Sequence, residues 1–119
     1  MKYGSDRLYL EHILDALATI ESYVVEGETA FLHDRKTQDA VIRNLEIIGE
    51  AVKHLSAALI NANPGIAWRD IAGNRDRLIH GYFLVDLHRV WNTVTRDLPV
   101  LKSQIAAVIA QIDAGRPEG

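Results

Sequence analysis

Four residues in one short segment have side chains suited to chemistry on a phosphodiester: Arg75, Asp76, His80 and Tyr82. Histidine donates or accepts a proton near neutral pH, and arginine offers a planar set of donors to a phosphate. Cleavage of a phosphodiester needs both, because a proton must move while negative charge grows on the phosphoryl oxygens. A purely structural role, in which the arginine and the histidine join helix ends, is the alternative that the spacing leaves open.

The spacing of these residues predicts a site shared between two chains. On a regular helix, Arg75 and His80 point about 140° apart, whereas Arg75 and Tyr82 are nearly aligned. One helix therefore does not easily direct both Arg75 and His80 at one phosphate, but two copies related by a twofold axis can. We predict a homodimer in which the arginine of one chain and the histidine of the other converge in a shared cleft.

The other histidines and the acidic residues give weaker signals. No zinc-binding or calcium-binding pattern is present, so we predict no metal ion and no cofactor. Glu46 and Glu50 lie one turn apart and could line the dimer cleft, although a solvated helix face is the more usual interpretation. Surface or helix-cap positions are predicted for His12, His33, His54 and His88.

The composition restricts the classes of protein to which the chain can belong. Its 119 residues include no cysteine, which excludes a disulfide framework and a thiolate nucleophile or metal ligand. The net charge of −3 argues against a nucleic-acid binder that works through bulk charge, so any RNA contact must be local. Five arginines against three aspartates between Ile66 and Arg96 form a weak positive island. Neither a secretory signal nor a membrane-spanning run is evident, which predicts a cytoplasmic protein.

Apolar residues at helical spacing predict two long helices in the first half of the chain. The first covers residues 6–26, with Ser5 or Asp6 as its cap and Gly27 as its stop. A polar connection over residues 27–36 follows it. The second helix covers residues 37–61, where the apolar seam is regular over nearly three heptads.

The second half of the chain predicts a shorter helix and then a longer helical run. The shorter helix covers residues 68–80 and ends at Gly81. Asp86 caps the following helix. Pro99 lies inside that run, which predicts either a kink or a break at which Asp97 caps a new helix.

These elements predict a single domain over residues 1–119. No run alternates with the period of a β-strand, so the fold class is all-α, an antiparallel bundle of four to five helices. Residues 114–119 have nothing to pack against and are expected to be a frayed tail.

The segment with the four polar residues resembles the motif of the HEPN superfamily. That motif is an arginine, four residues, a histidine, one residue and a tyrosine, with a polar residue commonly after the arginine. Arg75, Asp76, His80 and Tyr82 occupy its positions. Over roughly residues 8–112, further segments look like the HepT branch of the superfamily: residues 39–51 (DAVIRNLEIIGEA), 68–72 (WRDIA), 78–83 (LIHGYF), 90–92 (VWN) and 97–99 (DLP).

The resemblance implies a helical dimer that acts as a ribonuclease toxin and is encoded beside a small nucleotidyltransferase antitoxin called MntA. It implies that Arg75 stabilises the phosphorane, and that His80 is the acid or base during attack by the ribose 2′-hydroxyl, without a metal. Tyr82 would be the residue that the antitoxin modifies with AMP. The chain departs from the branch at Asp76, where asparagine is usual, and this adds a negative charge beside the phosphate site.

Two other functions stay open at this point. The first is a non-catalytic HEPN module that binds a nucleotidyltransferase or its nucleotide, and the second is a structural dimer with a relic motif. The intact Arg75, His80 and Tyr82 favour the ribonuclease, because a binding module has no need of all three. The acidic net charge mildly favours the binding module.

Overall fold

The computed structural model of the protein describes residues 4–73 and 86–115, and every structural statement below concerns these residues. All regular secondary structure within them is helical, which confirms the all-α prediction. None of these helices is both long and apolar enough to cross a membrane. The helices are α1 (Asp6–Tyr23), α2 (Glu28–Leu32), α3 (Arg35–Lys53), α4 (Ala57–Ala62), α5 (residues 68–73), α6 (Leu87–Asn92) and α7 (Leu98–Ala114), and a π-helical turn, Thr93–Asp97, joins α6 to α7.

The centre of the fold is the antiparallel pair of α1 and α3. The start of α1 lies beside the end of α3, because the ring of Tyr9 stacks on that of His54 with 4.9 Å between centroids. Each fully buried aliphatic side chain contributes about 1.5–3 kcal/mol to stability, so this pair supplies much of the core energy. The buried residues of the pair are Leu10, Ile13, Leu17 and Ile20 in α1, and Val41, Leu45, Ile48 and Val52 in α3.

α7 also packs antiparallel to α1, as two exposed ion pairs show. Arg7 Nε lies 2.8 Å from Asp113 Oδ1 at one end, and Lys102 Nζ lies 2.8 Å from Glu21 Oε1 at the other. Arg7 also pairs with Glu11, and these bonds, above all the one to Asp113, raise the pKa of Arg7 above its usual range. The core residues of α7 are Leu98, Leu101, Ile105 and Val108.

The first predicted helix is too long, and the connection predicted after it contains a helix. α1 ends at Tyr23, and Gly27 is the N-cap of α2 rather than the stop of α1. Gly27 has a φ of 96°, a left-handed conformation that glycine adopts without strain and that interrupts a regular helix. α2 forms around Phe31, which is 1% exposed and packs against Trp91. One apolar anchor in a polar segment makes no periodic pattern, so apolar spacing does not predict α2.

The second long helix begins two residues earlier than predicted. α3 begins at Arg35, because the carboxylate of Asp34 accepts hydrogen bonds from the N–H of Lys36 (3.1 Å) and the hydroxyl of Thr37 (2.7 Å). The bond from Thr37 is the main cause that lowers the pKa of Asp34 below its ordinary value. This residue is therefore an N-cap of the kind that satisfies free N–H groups in the first turn.

The second predicted helix, residues 37–61, is also divided in two at Ser56. The hydroxyl of Ser56 accepts a hydrogen bond from the N–H of Leu59 and so caps α4. The buried carboxylate of Asp6 accepts from the N–H of Ser56 at 2.8 Å and from its hydroxyl at 2.5 Å. Asp6 therefore serves the α3–α4 junction rather than capping α1, and Ser5 makes no side-chain cap bond. The apolar spacing continues across the junction, so it does not predict the break between α3 and α4.

A π-helical turn precedes Pro99, where the sequence predicts a kink or a break capped by Asp97. The π-helical turn ends where α7 begins, so Pro99 lies in the first turn of α7, where its missing N–H costs little. The hydroxyl of Thr95 in this turn donates to the carbonyl of Trp91 in α6 at 2.9 Å. Asp97 precedes α7 but makes no side-chain cap bond, so the predicted cap is wrong. α7 continues through Ala114, and residues 116–119 of the predicted tail lie outside the described residues.

Candidate functional site

All four predicted site residues lie outside the described residues. Arg75, Asp76, His80 and Tyr82 belong to residues 74–85, which we call the motif segment. The structure describes the two elements that border this segment, α5 before it and α6 after it. Predictions about the four side chains themselves therefore stay predictions, as does the end of the predicted helix over residues 68–80.

α5 enters the motif segment from a fixed position. Trp68 is 6% exposed, and its indole N–H donates to the carbonyl of Asn63 at 3.0 Å. Ile71 and Ala72 are partly buried against the core. A large buried aromatic with its polar N–H satisfied is an effective anchor, because no desolvated donor is left without a partner. The chain is thus held immediately before the segment that contains the motif.

α6 is also anchored, on the other side of the motif segment. Asp86 accepts hydrogen bonds from the N–H groups of His88 (3.0 Å) and Arg89 (3.2 Å), which confirms the predicted cap. Val90 is 5% exposed, and the ring centroid of Trp91 lies 5.4 Å from that of Phe31. α5 and α6, the described elements on either side of the motif segment, are therefore each fixed to the rest of the fold by an anchor of their own.

α5 and the π-helical turn that follows α6 both line an open cleft of about 350 Å³, which we call the border cleft. Two carboxylates, Asp70 of α5 and Asp97 of the π-helical turn, line this cleft with Thr93. The sequence does not predict that Asp70 and Asp97 lie near one cleft, because their separation along the chain carries no periodic signal. The other residues that line the border cleft are mostly apolar and include Leu45, Ile48, Ile71, Leu98 and Leu101.

A second groove, of about 250 Å³, lies between α1 and α3 and contains both glutamates considered for the dimer cleft. Glu46 lies 3.5 Å from Arg43, and Glu50 lies 3.4 Å from His54. Each glutamate therefore has a partner on its own side of the molecule, one turn away or at the helix end. Whether this groove faces a second copy of the chain stays a prediction.

The four histidines outside the motif are exposed, in agreement with the predicted surface and cap positions. The Nδ1 atom of His33 lies 2.8 Å from the carbonyl of Thr29, at the end of α2. His88 lies 3.8 Å from Glu28. Across residues 4–73 and 86–115, no group of three or more histidine, aspartate or glutamate side chains is arranged to hold a metal ion.

Comparison with known proteins gives consistent matches over nearly the whole chain. The family model described as Ribonuclease HepT-like matches residues 13–108. A protein of Thermococcus cleftensis named "Probable ribonuclease HepT" is 48% identical over 101 residues, which cover 84% of this chain and 92% of that protein. A candidate RNase of Methanocaldococcus jannaschii is 39% identical over 108 residues, or 90% of this chain and 89% of that protein.

A longer protein of Methanocaldococcus jannaschii, named as a gamma-glutamylcyclotransferase and candidate RNase, also matches. It is 40% identical over 111 residues, which cover 92% of this chain but 50% of that protein. The region shared with this chain is therefore one half of a larger protein in that relative. No solved structure matches the chain.

Proposed function

Because the chain belongs to the HepT-like ribonuclease family of the HEPN superfamily, we propose that this endoribonuclease is the toxin of a type VII-like toxin–antitoxin pair. The observation that carries the proposal is that the matched span, residues 13–108, includes an intact Arg75, His80 and Tyr82. The substrate is RNA, since the proposed nucleophile is the 2′-hydroxyl of ribose.

The proposed reaction is an in-line displacement at phosphorus. The 2′-hydroxyl loses its proton as its oxygen bonds to phosphorus, and the bond from phosphorus to the 5′-oxygen of the next nucleotide breaks. That leaving oxygen takes up a proton, and the products are a 2′,3′-cyclic phosphate and a 5′-hydroxyl. His80 is the proposed proton carrier, and Arg75 stabilises the charge on the phosphorane. Asp76 supports the site, and no metal ion or cofactor is required.

The proposed active form is a homodimer with a composite site. Helix geometry supports this proposal. On a single regular helix, Arg75 and His80 would point about 140° apart, whereas a twofold axis can bring Arg75 of one chain towards His80 of the other. The anchoring of α5 through Trp68 and of α6 through Asp86 fixes the two described elements on either side of the motif segment and is compatible with this proposal. Light scattering at micromolar concentration is expected to give twice the chain mass of 13.3 kDa. A monomer under those conditions would remove the composite site.

The decisive experiment is digestion of RNA in the presence of EDTA by three purified proteins. The wild type is expected to cut, whereas His80→Ala should lose about 10²- to 10⁴-fold in rate, the usual contribution of general acid–base catalysis. Arg75→Lys should also lose most activity, since a point charge does not replace a two-pronged donor. Activity that is abolished by EDTA and restored by magnesium would contradict the mechanism.

Regulation is proposed to act through Tyr82 and a MntA-like nucleotidyltransferase antitoxin. Transfer of AMP from ATP to the tyrosine oxygen forms a phosphodiester and releases pyrophosphate. The added phosphate repels the RNA backbone, and the added nucleoside fills the cleft. Tyr82→Phe keeps the ring but removes the acceptor oxygen, so this variant should cut RNA and escape modification.

Intact mass after incubation with the cognate nucleotidyltransferase and ATP tests this part of the proposal. The wild type should gain the mass of one or more AMP groups, and Tyr82→Phe should gain none. Equal additions on both proteins would assign the modification to another residue.

The second candidate function is a non-catalytic HEPN module that binds a nucleotidyltransferase partner or its nucleotide. The net charge of −3 is the observation that favours it, because an acidic protein gains little from bulk attraction to RNA. Binding to the nucleotidyltransferase with no cleavage of any RNA would favour this second candidate over the first.

A further inference from the structure

The basic residues of the described chain fall into two groups according to their partners. On α1, α3 and α7, most cations are paired with carboxylates of the same chain: Arg7 with Asp113 and Glu11, Arg35 with Asp39, Arg43 with Glu46, and Lys102 with Glu21. Such pairs leave little net attraction for an external anion, because each positive charge is already neutralised at short range.

Three arginines differ from this pattern, and they lie on the two elements that border the motif segment or on the π-helical turn that continues α6. Arg69 belongs to α5, Arg89 to α6 and Arg96 to the π-helical turn. Each is exposed, and none forms an ion pair or a side-chain hydrogen bond with any residue in 4–73 or 86–115. Lys36 also lacks an ion pair there, but it lies beside Asp34 at the start of α3 and lowers the pKa of that residue.

The carboxylates nearest to these arginines in the chain have other positions or other partners. Asp86 accepts two backbone N–H groups as the cap of α6, including that of Arg89 itself. Asp70 and Asp97 line the border cleft, each one residue after one of these arginines. The elements that carry Arg69 and Arg96 therefore meet at this cleft, and neither guanidinium group has an ion-pair partner within residues 4–73 and 86–115.

We infer that Arg69, Arg89 and Arg96 bind backbone phosphates of the RNA substrate and extend its contact surface beyond the motif segment. This inference rests on the proposed function. Guanidinium groups suit the task because each presents several donors to phosphate oxygens in a fixed plane. This contact surface is local. Asp70 and Asp97 lie next to two of the arginines in the chain and keep the net charge of the region low. The arginines therefore strengthen binding only where the RNA backbone passes close to them.

The arginines bind and position RNA, and they take no part in proton transfer. Loss of one of them should therefore raise KM and leave kcat unchanged, the pattern of an interaction made equally in the bound and transition states. The dependence of binding on salt should also fall, because each phosphate contact to single-stranded RNA contributes about 0.7 to the slope of log K against log salt.

The test measures binding of a fluorescein-labelled, 2′-O-methyl single-stranded RNA, which has no 2′-hydroxyl to attack and stays intact. The variants are Arg69→Gln, Arg89→Gln, Arg96→Gln and the triple variant. Arg43→Gln is the matched control, because it removes the same charge from a 71% exposed arginine that is already paired with Glu46. Urea unfolding of every variant verifies that these surface substitutions leave the fold intact.

Each single variant should bind about two- to fivefold more weakly, the range expected for an exposed charge pair, with a salt slope lower by about 0.7. The triple variant should combine these losses, and Arg43→Gln should bind as the wild type does. If wild type cuts unmodified RNA but the three variants match Arg43→Gln in affinity and slope, the inference is wrong and the proposed function stands.

Two other outcomes also overturn the inference. If the wild type neither binds the probe nor cuts RNA, the proposed function fails and this inference fails with it. If the variants keep the RNA affinity and slope of the wild type but lose binding to the nucleotidyltransferase, the three arginines belong to a protein interface instead.

Discussion

α1 and the elements near the motif segment differ in the pairing of their charged side chains and in their packing. α1 is clasped near both ends by ion pairs to α7, and its buried face has residues that are 0–2% exposed, such as Ile13 and Leu17. α5 and the π-helical turn line the border cleft, and together with α6 they carry arginines with no carboxylate partner among the described residues. The comparison indicates that the pairing of charges, and not the presence of a cleft, separates the two regions.

The π-helical turn is one physical cause of the looser border. An α-helix through this point would place the ring of Pro99 against the carbonyl of Thr95, four residues earlier. The wider turn avoids that arrangement, and the hydroxyl of Thr95 occupies the carbonyl of Trp91. Both the border cleft and another cleft, of about 300 Å³ and next to α1, include residues of this turn. Such turns are found often at functional sites.

The largest expected effect compares one core residue from each side. Ile13→Ala should lower the free energy of unfolding by about 3–5 kcal/mol, because Ile13 is fully enclosed by packed neighbours. Leu98→Ala should cost nearer to about 2 kcal/mol, since Leu98 lines two clefts and already faces open volume. Urea unfolding at one fixed protein concentration measures both values. Equal losses would mean that the clefts do not loosen the packing, and the contrast between the two sides would be lost.

The next effect concerns the buried contact between α1 and the α3–α4 junction. Asp6→Ala should destabilise the protein by about 1–3 kcal/mol, because the N–H and hydroxyl of Ser56 lose their buried acceptor. Asp6→Asn should cost less, as the amide oxygen still accepts one of these bonds. In the double variant with Ser56→Ala, the two losses should sum to more than the measured loss. Additive losses would show that the two side chains act independently.

A smaller effect is expected from the exposed ion pair between Glu21 of α1 and Lys102 of α7. Glu21 and Lys102 are 58% and 49% exposed, so Lys102→Glu should cost only about 0.2–1 kcal/mol, and Glu21→Lys in the same chain should restore part of it. RNA affinity should change less in this variant than in Arg96→Gln, although Lys102→Glu alters the charge more. A larger loss of RNA affinity in Lys102→Glu than in Arg96→Gln would contradict the distinction between cations that are paired and cations that have no partner among the described residues.

The smallest effect is a dependence on pH at the start of α3. The pKa of Asp34 is lowered in the folded protein, mainly by the hydrogen bond from Thr37, so its carboxylate stabilises the fold above the ordinary value of 3.8. This stability is lost as the pH falls below 3.8 and the folded carboxylate becomes protonated. Asp34→Asn should be slightly less stable than wild type at neutral pH, and the gap should close in acid. A gap that widens in acid would contradict this role of Asp34.

The sequence by itself determined the features that depend on near neighbours along the chain. Apolar spacing identified the cores of α1, α3 and α7, and the position of Asp86 before an apolar run identified the cap of α6. The ordered motifs identified the family, since they extend over most of the matched span. Each of these signals lies within a few residues of the element or segment that it predicts.

Only the tertiary structure decided where the helices break and which charges are paired. The junction at Ser56 is stabilised by Asp6, which lies 50 residues away, and α2 depends on contact between Phe31 and Trp91. The pairing of Lys102 with Glu21 spans 81 residues. Periodicity reports which face of a helix is apolar, but it contains no information on which distant residue meets that face. The distinction between the paired cations of α1, α3 and α7 and the three arginines that have no ion-pair partner within the described residues therefore exists only in the folded chain.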